Sequence, residues 1–131
     1  MAHNDLPHPG YETLLSSAAR TTTQTGTTMG NHDAAGVIIT VAMTAVTATL
    51  MLTPKVQYSP DGGTTWVDYC VAAIALAAIA NSSYLIYPGI LASADGAMTE
   101  SFNLPLPRTW RLVVTAGNGV SATYAAHAMY L

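Results

Sequence analysis

The sequence predicts an all-β protein, a single β-sandwich of seven or eight strands and of jelly-roll type. Three observations lead to this prediction. Short segments rich in β-branched and aromatic residues are separated by turn signals, no long amphipathic helical pattern occurs, and residues 55–69 carry a strong hairpin signal. With 131 residues, the chain is long enough for one domain with a sizeable core. We expect an extended N-terminal arm over residues 1–11 and the sandwich over residues 12–131.

The sequence of residues 13–54 predicts several strands and one turn between them. The Thr-rich run at residues 21–28 favours extended structure over a short helix, so we expect a strand over residues 13–23. Residues 30–33 have turn composition. Residues 36–43 are dense in β-branched side chains and predict a buried strand. Extended structure resumes over residues 50–53. Pro54 then marks an edge or a bulge, because proline cannot donate to a strand ladder.

A hairpin follows, around a Pro-Asp-Gly-Gly turn. Asp61 can bond the backbone ahead of it, and Gly62 and Gly63 can take positive φ at little steric cost. Residues on both sides of the turn are β-branched or aromatic, as hairpin strands require. We therefore expect this hairpin to fix the register of its two strands.

The same turn matches a known short motif. Residues from Ser59 to Trp66 fit the Asp-box pattern Ser-X-Asp-X-Gly-X-Thr-Trp of sialidase propellers, in which Ser59 and Asp61 satisfy turn amides. A propeller needs several blades, and this chain carries one copy of the motif, so we interpret it as structural. Trp66 and Trp110 both fall in alternating strands and are predicted to lie in the core.

The second part of the domain contains one ambiguous segment. Residues 71–80 suit a helix by their alanine content and a strand by their length and neighbours, so both possibilities stay open. The polar residues 81–83 predict a break, and residues 84–87 predict a strand.

Two further strands are expected near the C-terminus. Residues 108–115 and residues 120–130 both alternate between apolar and polar positions. The Gly-Asn-Gly sequence at residues 117–119 predicts that they form a second hairpin.

Charged residues are scarce. Seven acidic and four basic residues make up 8% of the chain, where roughly 25% is ordinary, and the net charge is −3. Without a basic patch, no nucleic-acid partner is expected. The longest strictly apolar run, residues 70–80, is shorter than the ~18 residues of a membrane span, and the N-terminus lacks signal-peptide features. Such a surface indicates a subunit of an assembly, because obligate interfaces are depleted in charge.

No constellation of residues suggests catalysis. The four histidines lack metal-ligand spacing, and Cys70 is the only cysteine. Neither a Gly-X-Ser-X-Gly motif nor a Gly-rich phosphate loop is present. We therefore predict no enzyme activity, no cofactor and no metal.

The aromatic residues allow one binding function. On an exposed face they would stack sugars, as in carbohydrate-binding modules, whereas core and cross-strand packing is the alternative interpretation. The residues concerned are Tyr58, Trp66, Tyr69, Tyr84, Tyr87, Trp110, Tyr124 and Tyr130.

Three stretches resemble small β-sandwich proteins of tailed bacteriophages, of the head-decoration (capsid cement) type. They are Leu14-Leu-Ser-Ser-Ala-Ala-Arg-Thr-Thr-Thr23, the hairpin at residues 56–69, and Tyr87-Pro-Gly-Ile90 followed by Leu106-Pro-Arg-Thr-Trp-Arg-Leu-Val113. The order and spacing of these stretches resemble those of short β-sandwich proteins of phage structural modules. Together the stretches cover most of residues 12–115.

The resemblance implies a non-enzymatic protein, made in the host cytoplasm, that binds the outer surface of a virion capsid and reinforces the shell. Its partners would be the major capsid protein and further copies of itself, with a trimer favoured. It also implies that the N-terminal arm reaches the capsid or a neighbouring subunit. The candidate interface residues of the arm are His3, Asn4, Asp5, Leu6, Pro7, His8 and Tyr11. A neck, tail or head-fibre component and a carbohydrate-binding module stay open as alternatives.

Overall fold

The computed structural model describes residues 11–49, 51–73, 75–76, 78–89 and 98–131. These residues form two packed β-sheets and no helix, so the predicted all-β sandwich is confirmed. Its jelly-roll form stays a prediction. The arm residues 1–10 lie outside the described residues, and Tyr11, expected as the last arm residue, is the first residue of the first strand.

Ten strands are present in the described part of the chain, and two of them contain only two residues. In chain order they are β1 (Tyr11–Arg20), β2 (Gln24–Thr25), β3 (Met29–Gly30), β4 (Val37–Val46), β5 (Leu52–Tyr58), β6 (Val67–Val71), β7 (Asn81–Ile86), β8 (Glu100–Phe102), β9 (Thr109–Ala116) and β10 (Ala122–Tyr130). Sheet A has the order β1-β10-β4-β7-β8. Sheet B has the order β2-β9-β5-β6, and β3 also pairs with β9. Every pair is antiparallel except β7 with β8.

The core lies between the sheets and is built from alternate residues of the central strands. Successive side chains of a strand point to opposite faces, so one set faces the other sheet. In β10 this set is Ala122, Tyr124, Ala126, Ala128 and Tyr130, all of them buried. β9 contributes Trp110, Leu112 and Val114. The inward positions of the two C-terminal strands therefore agree with the alternation in the sequence.

Cross-sheet hydrogen bonds close one side of the sandwich, next to β1 and β2. The Gly26 amide donates to the Leu112 carbonyl of sheet B at 2.7 Å, and the Thr27 amide donates to the Leu14 carbonyl of sheet A at 3.4 Å. A Cβ on Gly26 would lie 3.2 Å from both carbonyl oxygens. A glycine therefore suits this position, where the backbone passes close to the backbones of Leu14 and Leu112.

The opposite side is closed next to β6 and β8. The Ala73 amide donates to the Glu100 carboxylate at 3.0 Å, and the Tyr69 hydroxyl donates to the Pro105 carbonyl at 2.6 Å. With both sides closed, the broad surfaces of the domain are the outer faces of sheets A and B.

Two local predictions are wrong. The turn at residues 117–119 does not join a hairpin, because β9 belongs to sheet B and β10 to sheet A. The Gly-Asn-Gly composition of this turn favours a reversal of the chain. It does not decide whether the two flanking strands pair with each other or belong to different sheets. Residues 81–83 do not interrupt a strand either. They begin β7, where pairing with β4 and burial of Ser82 override their turn propensity.

The ambiguous segment and Pro54 are also placed by the structure. β6 ends at Val71, and the described residues that follow it make one isolated bridge, between Leu76 and Leu52. Pro54 lies inside β5, but its carbonyl accepts from the Ala72 amide on the side where β6 has ended. The predicted edge or bulge is not found at Pro54, because β5 lies between β9 and β6 and its register with β9 is unbroken there. The missing N–H is tolerated because it faces the chain beyond the end of β6.

Candidate binding surface

The Asp-box turn forms a network of internal hydrogen bonds. The Ser59 hydroxyl accepts from the Gly63 amide at 2.7 Å and donates to the Asp61 carboxylate at 2.8 Å. That carboxylate also accepts from the Thr65 amide at 2.7 Å. Gly62 and Gly63 have φ values of +79° and +115°, which favour glycine. The polar groups of the motif thus hold the turn together.

These hydrogen bonds lower the pKa of Asp61. The Thr65 amide has the largest effect, followed by the side-chain hydrogen bonds to Thr65 and Ser59, and together they bring the pKa from 3.8 to about 2. A carboxylate held ionised in this way is a hydrogen-bond acceptor and not a proton donor near neutral pH. The chemistry of Asp61 therefore agrees with a structural role.

The two tryptophans have different environments. Trp110 is fully buried, and its indole N–H donates to the Gly30 carbonyl at 3.3 Å. The prediction that Trp66 also lies in the core is wrong, because Trp66 is half-buried at the surface and its ring is covered by the Arg111 guanidinium at 4.2 Å. This stacking is a cation–π contact.

The outer face of sheet B carries a polar network beside Trp66. Lys55 pairs with Asp68 at 3.1 Å, and the Gln57 amide nitrogen donates to Asp68 at 2.9 Å. Arg111 Nε donates to the Gln57 amide oxygen at 2.9 Å. The hydrogen bonds from Gln57 and then Lys55 lower the pKa of Asp68. This face therefore combines charge, hydrogen bonds and water exposure, as an ordinary solvated sheet does.

The outer face of sheet A is different in kind. We call the outward side chains of β4, β7 and β10 the neutral face, because none of them is charged. They are Ile38, Thr40, Ala42, Thr44, Ala45, Asn81, Ser83, Leu85, Thr123, Ala125, His127 and Met129. Thr44, Ala45, Asn81 and His127 are exposed, and the other eight are half-buried. A mixture of small, aliphatic and hydroxyl side chains without Asp, Glu, Lys or Arg suits contact with another uncharged surface.

A shallow hollow lies on the neutral face. Its volume is about 120 Å³, and its walls include the side chains of Ile38, Thr40, His127 and Met129. The Thr40 hydroxyl lies 3.4 Å from the Ser83 hydroxyl, one strand away. The polar groups of this wall thus have neighbours on the same face, which leaves the hollow suited to an apolar or neutral group.

The charged side chains that the structure describes lie at other positions. Arg20, at the end of β1, lies over the Tyr124 ring at 4.7 Å and donates to the Tyr124 carbonyl at 2.6 Å. Glu100 accepts from the Ala73 amide at the side of the sandwich. The remaining ones are Glu12, Asp33, Lys55, Asp61, Asp68, Arg108 and Arg111. None of these is an outward residue of β4, β7 or β10.

Most of the predicted interface residues lie in the undescribed arm, and these are His3, Asn4, Asp5, Leu6, Pro7 and His8. Tyr11 belongs to β1, where it pairs with Met129 of β10. Since Met129 lines the hollow, the arm joins the domain beside the neutral face. The sequence alone does not reveal this face. The sequence feature that indicates the neutral face is the absence of charged residues at alternate positions of β4, β7 and β10. This feature can be recognised only when the pairing of the three strands is known.

No candidate metal or nucleophile site emerges from the described residues. They contain no group of three or more His, Cys, Asp or Glu side chains placed to hold a metal ion. Cys70 is buried, and burial raises the pKa of its thiol to about 12, which leaves it protonated. Within the described ranges, no helix is long and apolar enough to cross a membrane.

No protein-family model matches the chain, and no curated protein is significantly similar to it. The comparisons therefore identify no family for this chain.

Proposed function

We propose that the chain is a non-enzymatic structural protein of a tailed-phage virion, which binds the outer surface of the capsid and stabilises the shell. The neutral face is the observation that carries the proposed role as a structural subunit of an assembly. Side chains other than Asp, Glu, Lys and Arg cover one broad face of the sandwich, whereas Lys55, Asp68 and Arg111 lie on the other. Depletion of charge is the compositional signature of the central part of a protein interface.

The resemblance to decoration proteins supports the same proposal. Its three stretches contribute β1, the β5–β6 hairpin and β9, which are framework strands of both sheets. A protein built in this way would reinforce a shell through contact area rather than through chemistry.

The arm supplies the proposed contact with the shell. Its residues precede Tyr11, whose strand partner Met129 lies on the neutral face. We assign His3 to His8 to binding of the major capsid protein or of a neighbouring subunit, and the sandwich to holding the arm in place. The mature location would be the exterior of the virion.

Two alternative functions are another virion component and a carbohydrate-binding module. A neck, tail or head-fibre component would use the same fold and differ in copy number. A sugar-binding platform requires exposed aromatic rings, and the aromatic side chains that the structure describes are buried or half-buried. One half-buried candidate, Trp66, is covered by Arg111. No observation on the described residues therefore favours sugar binding.

Co-sedimentation with capsid shells that lack this protein tests the proposal. We expect saturable binding of the full chain, with a clear loss of affinity in Leu6→Asp, because the charge replaces the large aliphatic side chain of the arm. Val71→Asp, on an exposed side chain of edge strand β6, is the matched control and should bind as the parent does. Absence of wild-type binding to shells would contradict the proposal.

A further inference from the structure

The two outer faces of the sandwich provide an internal comparison. On sheet B, Lys55, Asp68 and Arg111 are paired or stacked at the surface. On the neutral face, the twelve outward residues from three adjacent strands include no Asp, Glu, Lys or Arg. Both faces belong to one short chain of the same overall composition, so the difference indicates a difference in what each face contacts.

The chemistry of the neutral face restricts its partner. A partner that placed a charged side chain on this face would leave that charge desolvated without an opposite charge, which is unfavourable. The partner surface must therefore be uncharged as well. Of the two broad outer faces of this domain, the neutral face alone meets that condition.

We propose that the neutral face packs against the neutral face of a second copy of this chain. This inference goes beyond the proposed function, because it assigns the surface through which copies associate and does not depend on the shell. Two sheets that pack face to face lie about 10 Å apart with interdigitating side chains, the arrangement already present inside this sandwich.

The available area suits a weak but specific contact. Strands β10, β4 and β7, spaced about 4.8 Å apart and each about eight residues long, present on the order of 400 Å². Two copies would then bury roughly 800 Å², which is in the range of weak, transient contacts. We therefore expect association in the micromolar range rather than a permanent dimer.

The shape of the face also suits a second copy. The hollow of about 120 Å³ next to Ile38 and Met129 has room for one aliphatic side chain, since a cavity of about 150 Å³ holds a benzene-sized group. Leu85 is the register partner of Ile38 and is half-buried on the same face. A second copy would supply Leu85 as the side chain for this hollow.

Face-to-face packing makes a prediction about symmetry. Contact between two identical surfaces is isologous and closes as a two-fold pair, whereas a trimer requires contacts between different surfaces. The resemblance to decoration proteins implies a trimer. The mass of the protein in solution therefore distinguishes the two-fold dimer proposed here from the trimer that the resemblance implies.

Sedimentation equilibrium of the full chain, from about 1 to 200 μM, tests the proposal. We expect the mass to rise from 13.6 kDa toward twice that value. Ala125→Glu should weaken dimerisation at least tenfold, because the contact would desolvate a carboxylate that faces no opposite charge. Thr115→Glu, a half-buried outward position on sheet B, is the matched control and should dimerise as the parent does. Circular dichroism checks that each variant is folded, and Thr40→Lys replaces Ala125→Glu if the latter unfolds.

Three results would overturn the proposal: a monomer over the whole concentration range, a trimeric mass, or dimerisation of folded Ala125→Glu at the parental affinity. A parental monomer that binds shells, and loses that binding in Ala125→Glu, would assign the neutral face to the shell and also overturn it. Dimerisation without shell binding would instead support the inference and contradict the proposed function.

Discussion

At the scale of single residues, Asp61 illustrates how a motif familiar from an enzyme family serves a structural purpose. Its carboxylate accepts from the Ser59 hydroxyl and from the amides of Thr64 and Thr65 at 2.8, 3.1 and 2.7 Å. Such bonds replace backbone pairing that a tight turn does not supply. The residue is exposed, so its importance lies in the geometry of the turn and not in burial.

This geometry predicts a pH-dependent stability. The pKa of Asp61 falls from 3.8 to about 2 on folding, so its ionised form stabilises the native state fully above about pH 4, and this contribution is lost as the pH falls toward 2. We expect Asp61→Ala to lower the midpoint of thermal unfolding at pH 7. The gap between parent and variant should narrow between pH 4 and pH 2, as followed by circular dichroism.

Asp68→Ala is the control for that measurement. Asp68 also has a lowered pKa, but its partners Gln57 and Lys55 lie on the outer face of sheet B and do not hold a turn. Exposed pairs of this kind contribute little to stability. Equal midpoints for Asp61→Ala and the parent at pH 7 would contradict the assigned role of the turn.

The tryptophans show how far residue-level prediction reaches. Alternation placed Trp110 correctly, because its neighbours Leu112 and Val114 share its inward face. Trp66 was misplaced because it immediately precedes β6, where the alternation of a strand does not yet apply. Its contact with Arg111 of β9 joins residues far apart in the chain and carries no local signal in the sequence.

At the scale of strands, the start of β4 depends on a close approach that the sequence does not announce. A Cβ on Gly36 would collide with the Ile86 carbonyl oxygen and lie 2.6 Å from Cδ2 of Tyr87. The Gly36 carbonyl also accepts from the Leu131 amide at 2.9 Å. Three chain segments therefore meet at this glycine.

We expect Gly36→Ala to destabilise the domain by about 1–3 kcal/mol or more, because the backbone of β7 would have to shift to make room for the added methyl group. Urea unfolding measures this change. Gly119→Ala is the matched control, since a Cβ at Gly119 meets no heavy atom within 4 Å and should change stability by no more than about 0.5 kcal/mol. A Gly36→Ala variant as stable as the parent would show that β4 and β7 can separate at this point.

Strand existence was predictable and strand partnership was not. Residues 36–43 and 120–130 read as strands from composition and alternation, and they form most of β4 and β10. The turn at residues 117–119 resembles a hairpin loop, yet the chain crosses there from sheet B to sheet A. Turn residues encode a local reversal, whereas the choice between pairing and crossing is made by packing across the whole core.

At the scale of the whole molecule, the sandwich has two unlike faces. The low charge content of the sequence predicted an assembly subunit but did not show where the charge is missing. The fold shows it, because the outward positions of β4, β7 and β10 bring three separate uncharged patterns onto one surface. The candidate interface therefore needed the strand order, which no single segment contains.

The copy number of the chain in purified phage particles tests the proposed function most directly. Quantitative mass spectrometry can measure its ratio to the major capsid protein in particles separated by density. A shell-stabilising protein on the capsid exterior must repeat with the lattice, so we predict hundreds of copies per particle. Absence from the particles, or only a handful of copies as in a neck, tail or fibre component, would contradict the proposal.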